Sequence, residues 1–181
     1  MDAAGPAAAD RSPTADRRRD FDAFARRERG PLIAFGWSLT GDRAAAEDMA
    51  QEALAAAWSR WHDIAGYDRP GAWARRVVAN QAAGRGRRSG REQRAYGRWL
   101  GRRPPEVEME PADHRFWAEV RKLPERQARA VALHYLEDLP IAEIAQVLEC
   151  AEGTVKTHLH RGRLRLAQAL GLLDGEDGGE R

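Results

Sequence analysis

The chain has 181 residues, 43% of them hydrophobic, and its 30 basic and 28 acidic side chains leave a formal net charge of +2. That is room for one medium domain or two small helical ones. Cys150 is the only cysteine, which excludes intrachain disulfides and cysteine-rich zinc sites, and no apolar run approaches the roughly 18 to 20 residues that span a bilayer. With no signal-peptide core at the N-terminus either, a soluble, cytoplasmic protein without membrane insertion is expected. Lys122 and Lys156 are the only lysines. Arginine suits phosphate and guanine contacts better than lysine does, although the Ala, Arg and Gly bias equally fits a GC-rich coding background.

Residues 1–19 are Ala, Asp, Arg, Pro and Ser without an apolar period, the composition of a disordered tail. Phe21, Phe24, Leu32, Ile33 and Trp37 form a helical apolar stripe interrupted at Gly30-Pro31. Thr40-Gly41-Asp42 predicts a turn in which Asp42 caps the next helix, from about 43 to 61. Ala50, Leu54, Ala57 and Trp61 line one side of that helix and Asp48, Gln51, Glu52 and Ala55 the other, with Glu47 near the edge. A solvated face explains such charges in many proteins. An acidic face also suits a basic protein partner and points away from nucleic acid.

Asp68-Arg69-Pro70 signals another helix, from about 70 to 85, which Gly84 and Gly86 are expected to stop. Its charge is reversed. Arg75, Arg76, Arg85, Arg87, Arg88, Arg91, Arg94, Arg98, Arg102 and Arg103 meet only Glu92 over the same interval, a density that repels itself without an anionic partner such as nucleic acid. A disordered basic tether is the alternative. Arg76 and Asn80, four residues apart, share a face and can hold phosphate and a base edge together. Tyr67 and Trp73 lie close by, but Trp73 is in register with Val77 and reads as core.

Periodicity is lost before Pro104, Pro105 and Pro111, which marks a linker. Its Glu106, Glu108, Glu110 and Asp113 read as a solvated connector, or as a strand whose charge imitates nucleic acid in a basic channel. Helical pattern returns at 114–123 and 125–137, with Phe116, Val120, Leu123, Val131, Tyr135 and Leu136 as expected core.

The stretch LPIAEIAQVLECAEGTVKTHLHRGRLRL, residues 139–166, reads as two short helices joined by a tight turn, a helix-turn-helix. Val155, Leu159, Gly162 and Leu166 fall on one side of the second helix. Thr157, His160, Arg161 and Leu164 fall opposite, flanked by Lys156. Leu139, Ile141, Ile144, Ala145 and Leu148 supply the packing partner, and the link Glu149-Cys150-Ala151 is too short for an antiparallel pair. One face packs and the other is free to enter a groove. His158 and His160 point about 160 degrees apart on a helix and cannot share a metal. No phosphate-binding glycine loop and no nucleophile with a base is present, so neither enzymatic activity nor a cofactor is expected.

The runs LTGDRAAAEDMAQEALAAAWSRW, RPGAWARRVVAN and LPERQARAVALHYLEDLPIAEIAQVLECAEGTVKTHLHRGRLRL, in that order, resemble bacterial RNA polymerase sigma factors of the extracytoplasmic-function group, most of all the compact actinobacterial type called SigE-like. The resemblance covers about residues 21–170. It implies an all-α fold of two small helical domains joined by a flexible linker: sigma-2 at 20–90 and sigma-4 at 114–170, with a linker at 91–113. Composition alone sets the disordered tail at 1–19 and an acidic, Gly-rich frayed tail at 171–181.

By that likeness Asp48, Gln51 and Glu52 belong to the helix that docks on core RNA polymerase, and Arg75, Arg76, Asn80 and Arg85 to the minus-10 reading surface, where a base is flipped out of the duplex. Lys156, Thr157, His160 and Arg161 match the minus-35 recognition helix, with Arg163 and Arg165 placed for phosphates at the groove edge. Core polymerase and promoter DNA are the implied partners, and an anti-sigma factor is a further one. Two departures stand out. Glu149 replaces the usual Gly of the turn, which costs about 1 kcal/mol if the backbone there is left-handed. Pro140 replaces the usual Ser or Thr cap and is tolerated in a first helical turn. A stand-alone helix-turn-helix regulator is the rival reading. It needs a dimerisation surface, and no heptad seam is present.

Overall fold

The computed structural model describes residues 13–95 and 111–172, and among these it holds eight helices and no strand. They are α1 Pro13–Thr40, α2 Arg43–Ser59, α3 Trp61–Ile64, α4 Pro70–Ala95, α5 Pro111–Val120, α6 Glu125–Tyr135, α7 Ile141–Leu148 and α8 Glu152–Ala169.

The first half is built on a tight hairpin of α1 and α2. Gly41 turns the chain at φ +70°, its N–H donating to the Trp37 carbonyl at 2.7 Å, and the Asp42 carboxylate accepts from the Ala45 N–H at 3.1 Å as an N-cap. The helices approach closely because their facing residues are small. A Cβ on Gly36 would stand 3.2 Å from the Ala46 Cα, and Ala46, Met49, Ala50, Ala53 and Ala57 are all buried. Further along, the gap is filled by rings: Phe21 lies 5.0 Å from Trp58, and Phe24 lies 4.7 Å from Trp61. Helix α4 closes this half through Trp73, Ala74, Val78 and Ala79.

The second half wraps α5, α6 and α7 around α8. Val155, Leu159, Gly162 and Leu166 of α8 are buried, as their spacing predicts. Gly162 is needed there, since a Cβ would fall 2.9 Å from the Val131 Cγ2 of α6. The two halves are in contact, α4 with α7 and α1 with α5 and α6. Trp37 meets His114 edge-on at 6.0 Å, and the half-buried Arg121 lies over the Trp37 ring at 5.1 Å.

Several expectations from sequence need correction. Helix α1 begins at Pro13, inside the segment expected to be disordered, while residues 1–12 lie outside the described residues. It also runs without a break through Gly30 and Pro31. The Pro31 ring is exposed, so the carbonyl it deprives of a donor is on the solvent side, where water can serve it. The helix expected over 43–61 ends at Ser59, and Arg60 caps both it and the short α3 that begins at Trp61. Helix α4 continues through Gly84 and Gly86 to Ala95, past the boundary placed at 90. Glycine weakens a helix by about 1 kcal/mol per residue without terminating it, and no proline follows until Pro104. Tyr135 and Leu136, expected in the core, are 50% and 36% exposed. Tyr135 instead receives the Arg163 guanidinium on its ring at 5.5 Å. The linker acids Glu106, Glu108 and Glu110 lie outside the described residues.

Candidate functional site

Three surfaces carry the residues singled out by sequence. On α2, the small buried residues fix the roll of the helix and thereby turn Asp48, Gln51, Glu52 and Ala55 outward, all exposed. Trp58, 39% exposed, continues that face one turn on. Sequence reading missed it. Its packing on Phe21 and the Arg17 guanidinium 5.3 Å from its ring hold it in place, and a fixed, half-open tryptophan beside carboxylates is the residue type that anchors protein interfaces.

The α4 surface is organised differently. Arg75 is almost wholly enclosed: its Nε and Nη2 donate to Glu137 Oε2 at 2.7 and 2.5 Å, and its Nη1 donates to Glu28 Oε2 at 2.9 Å. Side-chain exposures in this triad are 13% for Arg75, 9% for Glu28 and 5% for Glu137. Arg75 therefore does not present itself to a ligand in this arrangement. One residue on, Arg76 Nη1 donates to Glu149 Oε1 at 2.8 Å, and Arg69 pairs with the buried Glu143. Asn80 is exposed and borders a cavity of about 190 Å³ together with Arg126, Glu149 and His158. Arg85 stands 3.9 Å from Asp48, which links the arginine-rich helix to the acidic face of α2. Tyr67, Asp68, Arg69, Trp73 and Arg76 line a wider cleft of about 460 Å³. Tyr67 is 46% exposed and Trp73 only 9%, so Tyr67 is the ring available for stacking.

The helix-turn-helix is formed by α7 and α8. Pro140 is the N-cap of α7 and offers no side-chain hydrogen bond. The turn passes through Glu149 at φ 51°, ψ 51°, the left-handed region that favours glycine. The Cys150 N–H reaches back to the Ala145 carbonyl at 3.1 Å. Beyond the turn, Lys156, Thr157, His160, Arg161 and Arg163 are exposed on α8. Lys156 and Arg161 have no carboxylate partner among the described residues. Arg163 rests on Tyr135, and Arg165 Nη1 donates to the Gln127 Oε1 at 3.1 Å, so both are braced at the edge of the helix. His158 points the other way. Both its ring nitrogens are buried without a hydrogen-bond partner, and its pKa is lowered by desolvation and then by the charges of Arg126 and Arg161. Among the described residues no group of His, Cys, Asp or Glu is arranged to hold a metal, and no helix is long and apolar enough to cross a membrane.

Known families match both halves in this order. The family model for sigma-70 region 2 matches residues 24–92, and that for sigma-70 region 4 matches residues 113–166. The RNA polymerase sigma-E factor of Streptomyces antibioticus is 29% identical over 152 residues, covering 83% of this chain and 84% of that protein. The ECF RNA polymerase sigma factor SigW of Bacillus subtilis is 41% identical over 49 residues, about a quarter of each chain. Among solved structures, the sigma factor RpoE in complex with the anti-sigma factor NepR from Bartonella quintana superposes with a TM-score of 0.72 at 25% identity, over 86% of this chain and 99% of that one. CnrH in complex with the cytosolic domain of CnrY shares the fold, with a TM-score of 0.61 at 22% identity over 88% and 91%. Two family regions in order on one all-α chain lead to one conclusion: the chain belongs to the sigma-70 family of RNA polymerase sigma factors, in its extracytoplasmic-function group.

Proposed function

We propose a division of labour among the three surfaces of this sigma factor, which binds core RNA polymerase and directs promoter-specific initiation. Asp48, Gln51 and Glu52, extended by Trp58, dock on the polymerase. Arg76 and Asn80, with Tyr67 beside them, take the minus-10 element, and Arg85 belongs to the same surface. Lys156, Thr157, His160 and Arg161 read the minus-35 element in the major groove, while Arg163 and Arg165 contact phosphates. The protein contributes positioning and opening of DNA; bond making stays with the polymerase, so it is not itself an enzyme and works in the cytoplasm. An anti-sigma factor is the further partner this reading includes: the structural relative RpoE is in complex with one, NepR, and a partner that grips both halves fits a chain whose halves lie against one another.

The observation that carries this reading is that an exposed acidic face and an exposed basic recognition face sit on separate family regions of one chain. The test is run-off transcription with core polymerase of a related bacterium on genomic fragments. Native chain yields promoter-specific transcripts, and an Asp48→Ala, Gln51→Ala, Glu52→Ala variant loses them by about 100-fold, the scale of an interface hot spot. Duplex DNA binding by the chain alone, with no transcripts, favours the stand-alone regulator instead.

A further inference from the structure

Three arginines at the start of α4 and the loop before it, Arg69, Arg75 and Arg76, all pair with carboxylates of the second half: Glu143, Glu137 and Glu149. Such a set is not the signature of a flexible tether, because two of the acids, Glu137 and Glu143, have side chains that are only 5% and 10% exposed. A carboxylate removed from water needs its cation, so the contact is specific for this registration of the halves.

Two local features are costly and make sense only together with these pairs. Glu149 occupies a left-handed position at φ 51°, where glycine is the unstrained choice, and its carboxylate is what reaches Arg76. Gly71 lacks a side chain where a Cβ would lie 2.6 Å from Arg75 Nη1 and 2.9 Å from Glu28 Oε2, and so leaves the room in which Arg75 bridges two acids.

We infer that these pairs form an ionic clasp that holds the free chain shut, with the Glu149 carboxylate occupying Arg76 in the place of DNA. Glu149 is the sensor of the clasp, being 65% exposed in its side chain and within reach of ions. Arg75 with Glu28 and Glu137 is its enclosed anchor. Closing sets α7 and the turn against α4, so Arg76 is engaged by the chain's own second half until the halves separate, while Asn80 beside it stays exposed. The clasp rests on the contacts alone, whereas its competition with DNA rests on the assignment of Arg76 and Asn80 proposed above.

Energy transfer between dyes on the two halves tests both parts. Dyes attached at Ala44→Cys and Gln168→Cys, both exposed positions, in a Cys150→Ser background, report closure in the full chain without polymerase or DNA. High transfer at low salt that falls as salt screens the exposed pairs is expected. The variant Glu137→Gln, Glu143→Gln, Glu149→Gln is expected to show low transfer at every salt concentration and to bind a single-stranded minus-10 oligonucleotide at least about threefold more tightly.

Glu149→Gly guards against a folding artefact. It relieves the left-handed strain, so it is expected to unfold at a higher temperature and yet to open at lower salt than the native chain. Unchanged transfer in both variants overturns the clasp. Opening without a gain in affinity for the oligonucleotide overturns the competition with DNA and turns against the assignment of Arg76 and Asn80, leaving the rest of the proposed function standing.

Discussion

Helices α4 and α8 are the two basic helices to which the proposed function assigns DNA, and they hold their charges in opposite ways. On α8, Lys156 and Arg161 stand exposed without a carboxylate among the described residues. On α4, Arg75 is enclosed between Glu28 and Glu137, and Arg76 is engaged by Glu149. The lesson is that a run of arginines in sequence measures charge and not availability. A guanidinium buried between two carboxylates is a structural element, and the same residue on a bare helix face is a reading element.

The largest effect expected from breaking this contrast is on stability at α4. Arg75→Ala leaves Glu137 buried without its cation and Glu28 with only the exposed Arg27, and should lower the unfolding free energy by about 3 kcal/mol, read as a fall in the urea midpoint at unchanged slope. The matching change on α8, Arg161→Ala, is expected to leave the unfolding free energy within about 0.5 kcal/mol of the native value. It should instead weaken minus-35 binding by about 1 to 3 kcal/mol and relax the preference at one base pair.

Arg163→Ala separates reading from positioning on the same helix. It should weaken all sequences alike and reduce the salt dependence by about one phosphate contact. If Arg75→Ala proved neutral in stability while abolishing DNA binding, the contrast between the helices would be broken. The smallest effect is on pH dependence at His158. Its pKa in the folded chain is depressed, so the unfolded chain binds the proton more readily and stability falls as pH drops below the ordinary histidine value of about 6.5. His158→Gln should flatten the urea midpoint between pH 7.5 and 5.5.

Much of the architecture was legible because it depends on short spacings. The buried side of α8, the Asp42 cap, and the outward face of Asp48, Gln51 and Glu52 each follow from residues within two helical turns of one another. What sequence could not supply were relations across the chain. Arg75 reads as part of the minus-10 surface until Glu137, 62 residues away, is seen to hold it. Tyr135 fits the apolar period of α6 and yet ends on the surface as a platform for Arg163. The glycines of α4 read as a stop, but local propensity gives only a weak preference and did not decide the length of that helix.

The contrast between α4 and α8 is tested most directly by footprinting on a promoter selected by run-off transcription, with the free chain and with the chain bound to core polymerase. The free chain should protect the minus-35 element alone, through the open face of α8, and protection should extend to the minus-10 element only with polymerase. Protection of the minus-10 element by the free chain, at the same concentration and low salt, would contradict the account.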